Sequence, residues 1–522
     1  MERTGTLPNG AGVHATSEAT YAVPAQGFTA ELLPGMLQRI FSLRAVVTVA
    51  MAALVLMAVP HSMADPDIWW HLRNADEMLR QHAFVRHDLY SFTVAGAPWI
   101  DHEWLGEIAY WLGWKVAGAQ GVLAVGASLV MAIFTAVLWL CWRASGSMAA
   151  ACGCTVIAAL LSTVSFGPRT LLFGWLLFCV QMVLLECFRH SPRAVLLMPP
   201  LYLLWVNLHG SWLIGLAVLC VIAVAGNVGF STRGWLTSEP YTPQQNRMLL
   251  FAGVGIIPAL FCNPWGWRLV AYPFNFAFRQ TLNVATLEEW RPLDLHSVRG
   301  DIVVTVLLLV VARQFLKPRA WNVSELLLFA GGLYAALLHT RFLFMFALLA
   351  APVVARCFHQ NTAGTAEKRQ GGSAAVYALV MCLIALFAAA NYRKAAAQED
   401  TKFKLYPTAA LPALDRLPPG ARLFNEFGWG GYLAWSRPTR AVFIDSRTDI
   451  FEYNGVLQDY LDIIRIKQPL AVLDRHRIDA VLFEQDTPLA YLLARTDGWR
   501  VVWSDAHTVL FVRSVRPPAK NL

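Results

Sequence analysis

The stretch Ala64-Asp65-Pro66-Asp67-Ile68-Trp69-Trp70-His71 decides how the rest of the chain is read. It follows directly on an apolar run, residues 44–63. A run of that kind crosses a bilayer, which takes about 20 apolar residues. Ionisable groups at a bilayer are costly and tend to mark function. The proline biases Asp65 towards extended backbone. In extended chain, residues i and i+2 point to the same side. The spacing therefore predicts that Asp65 and Asp67 act together, one as general base and one on a hard cation. The structural alternative is an Asp-Pro-Asp turn or a helix cap.

Working outward, the 522 residues are 57% hydrophobic and only 15% charged, with a mean hydropathy of +0.46. That balance points to a polytopic α-helical membrane protein. Eleven spans are predicted: 44–63, 119–142, 147–164, 170–188, 194–208, 211–230, 248–262, 302–316, 322–338, 342–356 and 374–391. All nine cysteines lie in or beside these runs, so the other segments carry no disulfide framework. Residues 1–40 are polar and read as a disordered cytoplasmic tail. Residues 41–395 form the membrane domain, with a first external loop at 64–118. Residues 396–522 read as a small soluble α/β domain. Its strands are predicted at 422–424, 441–444, 480–483, 500–503 and 508–512, with helices at 455–474 and 488–496.

The net charge of +8 invites a nucleic-acid partner. With the N-terminus inside, however, Arg143, Arg189, Arg193, Arg233, Arg247, Arg313, Lys317, Arg319, Arg356, Lys368 and Arg369 all fall on inside loops or their flanks. This is the positive-inside pattern, although Arg73, Arg80 and Arg86 lie outside. No nucleic acid is expected. The expected location is a bacterial inner (plasma) membrane, with the C-terminal domain in the periplasm.

The outside segments gather the unusual polar motifs: Asp101-His102-Glu103-Trp104, Phe166-Gly-Pro-Arg169, Asn207-Leu-His209, Glu288-Glu289-Trp290-Arg291 and His339-Thr-Arg341. Such convergence suggests a cleft. Arg169, His339 and Arg341 sit at external helix ends, where arginine holds a phosphate bidentately or else snorkels to headgroups. Glu288 and Trp290 are candidates for sugar contact, against the ordinary role of an interfacial tryptophan. His209 is either a substrate contact or a satisfied helix-end histidine. Asp65, Asp67, His102 and Glu103 are candidate ligands for Mg2+ or Mn2+. Glu103 also suits a helix N-terminus. Within the first loop, Ile68, Leu72, Ala75 and Leu79 recur with helical spacing, as do Trp104, Ile108, Trp111 and Leu112. Both read as amphipathic helices lying on the membrane. Asp445, Arg447 and Asp449 read as a salt-bridged turn, with acceptor positioning as the alternative.

The first-loop residues Asp65-Pro-Asp67-x-Trp69-Trp70-His71 and His102-Glu103-Trp104 resemble those of bacterial members of the GT-C glycosyltransferase superfamily. Oligosaccharyltransferases, protein O-mannosyltransferases and lipid A aminoarabinose transferases are its relatives. The resemblance implies a long acidic first external loop, two interfacial helices and often an external C-terminal domain. It also implies a polyprenyl-phosphate-linked sugar donor, a glycan, lipid or protein acceptor, and surrounding membrane lipids. The expected activity is inverting sugar transfer, with Asp65 or Asp67 as base and metal help. Two rival classes are a non-catalytic glycolipid transporter or flippase and a membrane assembly scaffold. The scarcity of ionisable residues at mid-depth in the spans lowers the transporter reading.

Overall fold

The computed structural model describes residues 40–59, 62–232, 235–286, 288–358, 373–402 and 406–514. The expected N-terminal tail, apart from residue 40, lies outside the described residues, as do Lys368 and Arg369. The membrane domain runs α1 (Leu43–Ala58), α2 (Asp67–Gln81), α3 (Trp104–Ser145), α4 (Met148–Ser162), α5 (Leu171–Phe188), α6 (Met198–Leu208), α7 (Trp212–Ala225), α8 (Pro243–Phe261), α9 (Trp267–Arg279), α10 (Thr281–Thr286), α11 (Val298–Leu316), α12 (Val323–Leu338), α13 (Leu343–Cys357) and α14 (Ala374–Lys402). A helix lies on each of the eleven apolar stretches.

Among the described residues, five helical segments are long and apolar enough to cross a membrane: Trp104–Ser145, Met148–Ser165, Leu171–Phe188, Thr340–Cys357 and Ala374–Ala395. The apolar helices α1, α7 and α12 are shorter. Helix α6, with 11 residues, rises only about 16 Å and follows a 3-10 segment at Pro192–Leu197. The sequence predicts where these helices fall more closely than how far each one reaches. Helix α13 is buried on nearly all sides, as suits a central helix without a polar face.

Helix α3 breaks at Ala117 and Gly118. Gly118 adopts φ 57° and ψ −140°, which a side chain resists. The break separates the first-loop helix starting at Trp104 from the apolar stretch expected at 119–142. A small three-stranded sheet, β1 (Phe230–Thr232), β2 (Leu236–Ser238) and β3 (Trp321–Asn322), ties α12 to the segment after α7.

The C-terminal part carries β4 (Leu423–Asn425), β5 (Ala480–Glu484), β6 (Trp499–Ser504) and β7 (Thr508–Arg513) in the order β4-β5-β7-β6. β4 and β5 are parallel, and the β5–β7 and β6–β7 pairs are antiparallel. Its helices are α15 (Leu411–Leu414), α16 (Gly430–Ser436), α17 (Thr448–Tyr453), α18 (Val456–Ile464), α19 (Pro469–Arg475) and α20 (Pro488–Leu493). The helical pieces expected around 455–474 are α18 and α19, separated where Ile466 and Gln468 take positive φ.

Two expectations are corrected here. The strand expected at 441–444 does not join the tail sheet. Val442 instead bridges Ser91 of the first loop, with Phe92 N–H donating to the Val442 carbonyl and Val442 N–H to the Tyr90 carbonyl. In addition, α2 does not expose one face as a surface helix would. Ile68, Trp69, Trp70, His71, Leu72, Asn74, Ala75, Glu77 and Met78 are all buried, because α3 packs on one side and α16 on the other. A Cβ on Gly431 would lie 2.9 Å from the Pro66 carbonyl oxygen, and one on Gly430 2.0 Å from that of Ile444. The paired glycines therefore let the tail approach the acidic motif. Trp70, Ala75, Val85, Val94 and Trp99 share one apolar core with Phe424, Phe443, Phe451 and Phe511 of the tail.

Candidate functional site

The acidic motif opens α2. Pro66 is helical (φ −67°, ψ −24°), so Asp65 and Asp67 straddle a helix start and not an extended strand. Asp65 Oδ1 accepts from Asp67 N–H at 3.0 Å. The Asp-Pro-Asp turn is thus realised, with Pro66 and not Asp65 at the helix cap, and the second Asp65 oxygen is engaged elsewhere. Asp65 Oδ2 pairs with Arg169 Nε, and Arg169 Nη1 lies 3.2 Å from Glu289 Oε2. Glu289 Oε1 in turn pairs with Arg341. Four residues from four distant segments form one alternating ion chain.

Trp290 lies under the Arg341 guanidinium, 5.2 Å from its ring centroid. His339 Nδ1–H donates to the Trp290 carbonyl at 2.6 Å. The structure therefore brings together Asp65, Arg169, Trp290, His339 and Arg341. It does not bring in Glu288, whose side chain is 90% exposed and faces only Arg291, at 4.0 Å. In the 3-10 turn Glu288–Trp290, it is Glu289 that faces inward. Adjacent acids in a short turn are not separable by spacing alone.

Glu103 is the hub of a second cluster. Its Oε1 lies 3.2 Å from His209 Nε2 and 3.5 Å from His102 Nε2, and its Oε2 3.6 Å from His71 Nε2. Ser211 N–H donates to His209 Nδ1 at 3.0 Å, which leaves the His209 proton on Nε2, aimed at Glu103. Behind His71, Glu107 Oε1 sits 2.9 Å from Nδ1, and Asn74 Nδ2 lies 2.7 Å from both Glu107 Oε2 and Asp101 Oδ2. Tyr90 O–H closes this sealed network on Asn74 at 2.8 Å. The clusters adjoin. Thr170, next to Arg169, favours the charged form of Glu103, and the Arg341 charge reaches Glu103, His102 and His209.

Burial raises the carboxyls of Asp65, Glu103 and Asp101 above the usual range. For Asp65, Arg169 opposes that rise and Asp67 adds to it. Burial also pushes His102 down to about 4, so its imidazole is neutral near pH 7. Asp67 makes no ion pair among the described residues; its Oδ1 accepts from Trp70 Nε1 at 3.3 Å.

The four residues expected to bind a metal do not form one donor set. Asp65 is taken by Arg169, while His102 and Glu103 face each other and His209. Among the described residues, no three His, Cys, Asp or Glu side chains are placed to hold an ion. As placed, they do not fit a metal centre.

The tail reaches the same place. Asp449 Oδ2 accepts from Tyr272 O–H at 3.0 Å, and the Tyr272 ring lies 4.5 Å from that of His102. Both Glu452 oxygens accept backbone N–H groups, of Leu282 and Asn283, at 2.8 Å. The expected salt-bridged turn is present in part and buried: Arg447 joins Asp445 and, from the first loop, Asp88, while Asp449 pairs with Tyr272 instead. Beside Glu103, an apolar cleft of about 620 Å³ is lined by Trp104, Leu105, Leu204, Asn207, Phe261 and Asn263. It shares Leu105 and Leu204 with a second apolar hollow of about 360 Å³. Sequence reasoning gave no role to His71, Asn74, Tyr272 or Asp88. His71 lies inside the quoted motif, which was the available signal.

Neither a protein-family model nor a curated protein sequence matches the chain. Among solved structures, it is similar to the oligosaccharyltransferase AglB of Archaeoglobus fulgidus in complex with an inhibitory peptide and a dolichol-phosphate. The identity is 13% and the TM-score 0.48, over 84% of this chain and 69% of that one. It is also similar to ArnT of Cupriavidus metallidurans bound to undecaprenyl phosphate, at 14% identity and TM-score 0.48, over 91% of this chain and 99% of that one. Both of those solved structures hold a lipid phosphate.

Proposed function

We propose that the chain is a membrane glycosyltransferase of the GT-C type, acting at the periplasmic face of a bacterial inner membrane. It would move a sugar from a polyprenyl-phosphate donor to a hydroxyl of a glycan, lipid or protein acceptor. The observation that carries this reading is the placement of Asp67, without an ion-pair partner among the described residues, beside the Asp65–Arg169–Glu289–Arg341 chain. The two guanidiniums suit a phosphate, and the adjoining apolar cleft suits the carrier's hydrocarbon.

In this reading Asp67 takes the proton of the acceptor hydroxyl. The freed oxygen bonds to the sugar's anomeric carbon from the face opposite the phosphate, so the configuration inverts. The carbon–oxygen bond to phosphate breaks and its electron pair leaves on the phosphate. Arg169 and Arg341 hold the charge that develops there. Asp65 orients Arg169 and does not act as base. No step runs through Mg2+ or Mn2+. Chelation therefore leaves turnover in place, and its loss in EDTA with recovery on adding Mg2+ would restore the metal to the reaction. The N-terminus would face the cytoplasm, since the other ends of α3, α5 and α13 carry Arg143, Arg189 and Arg356.

The test is Asp67→Asn in full-length protein given a panel of polyprenyl-phosphate monosaccharides, reading released polyprenyl phosphate. General-base removal is expected to cost about 10²–10⁴-fold. Turnover equal to wild type at normal protein level would refute the assignment of the base. Carrier movement without glycosidic bond formation would favour the flippase reading.

A further inference from the structure

Helix α9 (Trp267–Arg279) sets an exposed aromatic row beside a row that carries two arginines. Trp267, Phe274 and Phe278 recur at i, i+7 and i+11, hence on one face, and are 67%, 45% and 78% exposed. One residue further along, Arg268, Asn275 and Arg279 repeat the same spacing on the adjoining face. Among the described residues, neither guanidinium has an ion-pair partner. The opposite face is inside the protein: Leu269 and Tyr272 are buried, and the Phe276 ring lies 5.8 Å from Trp290. At 13 residues, the helix is about 20 Å long, too short for a hydrocarbon core of about 30 Å.

Its outer face also continues an existing one. On α8 the exposed apolar row is Leu250, Val254, Ile257 and Phe261. The turn Asn263–Gly266 follows, held by Asn263 Nδ2 on the Leu260 and Gly266 carbonyls at 2.8 and 3.1 Å. Trp267 comes next. An apolar stripe beside an arginine-bearing stripe is the build of a helix lying in a bilayer surface, with its cations at lipid phosphates.

We infer that α9 is a membrane-surface helix, seated in the bilayer by Trp267, Phe274 and Phe278 and held at anionic headgroups by Arg268 and Arg279. The first-loop helix α2, which the sequence offers for that role, is enclosed by protein. The inner face of α9 carries Tyr272, which touches Asp449 and faces His102. The helix therefore sets the height of the site relative to the lipid phosphates. This inference stands whether or not the chain transfers sugar.

The test places one nitroxide at a time, on Trp267→Cys, Phe274→Cys or Phe278→Cys and on Arg268→Cys, Asn275→Cys or Arg279→Cys. The host is full-length protein with its nine cysteines replaced, in vesicles of phosphatidylethanolamine and phosphatidylglycerol. Relaxation by oxygen should dominate at the first three positions, and relaxation by a water-soluble nickel chelate at the second three. Equal nickel access at all six overturns the inference. If these variants do not fold, the unaltered chain is irradiated with phosphatidylglycerol carrying a photoreactive acyl chain. Adducts in the 267–278 peptide support the inference, and adducts confined to α8 and the other apolar helices overturn it.

Discussion

Two carboxylate–guanidinium clusters, one including Asp65 of the acidic motif and one centred on Arg447, differ chiefly in access to water. In the sealed one, Arg447 Nη2 lies 2.6 Å from Asp88 Oδ1 and 2.7 Å from Asp445 Oδ2, with side chains at most 1% exposed. The rings of Tyr90 and Trp99 cover the guanidinium at 4.8 and 4.9 Å. In the open one, Arg169, Glu289 and Arg341 are each 28–30% exposed, and only Asp65 is deeply buried. The chemistry is the same. A sealed ion group cannot exchange a partner and so acts as a fastener, here between the first loop and the tail. An open chain can trade Glu289 for a phosphate.

The comparison breaks most visibly at Arg447. Arg447→Met strands two buried carboxylates, and removing one partner of a buried ion group costs about 3–5 kcal/mol. The expected outcome is a marked drop in thermal midpoint, first seen as protease cuts between the tail and the first loop. A variant as stable as wild type but without transferase activity would make the sealed cluster part of the chemistry.

Arg169→Gln should do the reverse. Gln keeps a donor for the buried Asp65, and the rest of the chain lies at the edge of solvent, so the stability loss should be smaller than that of Arg447→Met. The ratio kcat/KM should fall by one to two powers of ten, matching a lost charge-assisted hydrogen bond of about 1.5–3 kcal/mol. The loss should fall mainly on KM for the lipid donor. If Arg169→Gln unfolds the protein and leaves the residual specific activity whole, the open chain is structural after all.

The difference between these clusters also marks what was legible in the sequence. Apolar runs give helices wherever they are long, so the eleven stretches were readable. Asp65, Arg169 and Arg341 were readable too, because each is a charge stranded at the end of an apolar run. Arg447 and Asp88 stand 359 positions apart, and no periodicity joins them. Val442 has strand-like neighbours, but propensity does not say that its partner is Ser91 of the first loop and not the tail sheet. The enclosure of α2 has the same cause. Ile68, Leu72 and Ala75 announce one apolar face, whereas Trp70 and the Gly430-Gly431 pair make the second contact and belong to no repeat.

A smaller effect is expected at Glu426, a carboxylate with no cation beside it. Its Oε2 accepts from Trp429 N–H at 3.0 Å. Burial nevertheless raises its carboxyl from 4.5 to about 7, with Glu484 adding to the rise and the backbone donors opposing it. The folded tail therefore keeps this proton where the unfolded chain has released it. Stability contributed by Glu426 is complete below pH 4.5, declines as pH rises from 4.5 to about 7, and is level above that. Because the side chain is partly exposed, the total drift should be about 1 kcal/mol. Glu426→Gln keeps the oxygen that caps Trp429 and has no proton to lose. Its thermal midpoint should stay flat over that window while that of wild type falls. Parallel curves for the two proteins would show that Glu426 titrates alike in folded and unfolded chains. Solvent would then reach this turn as freely as it reaches Arg169.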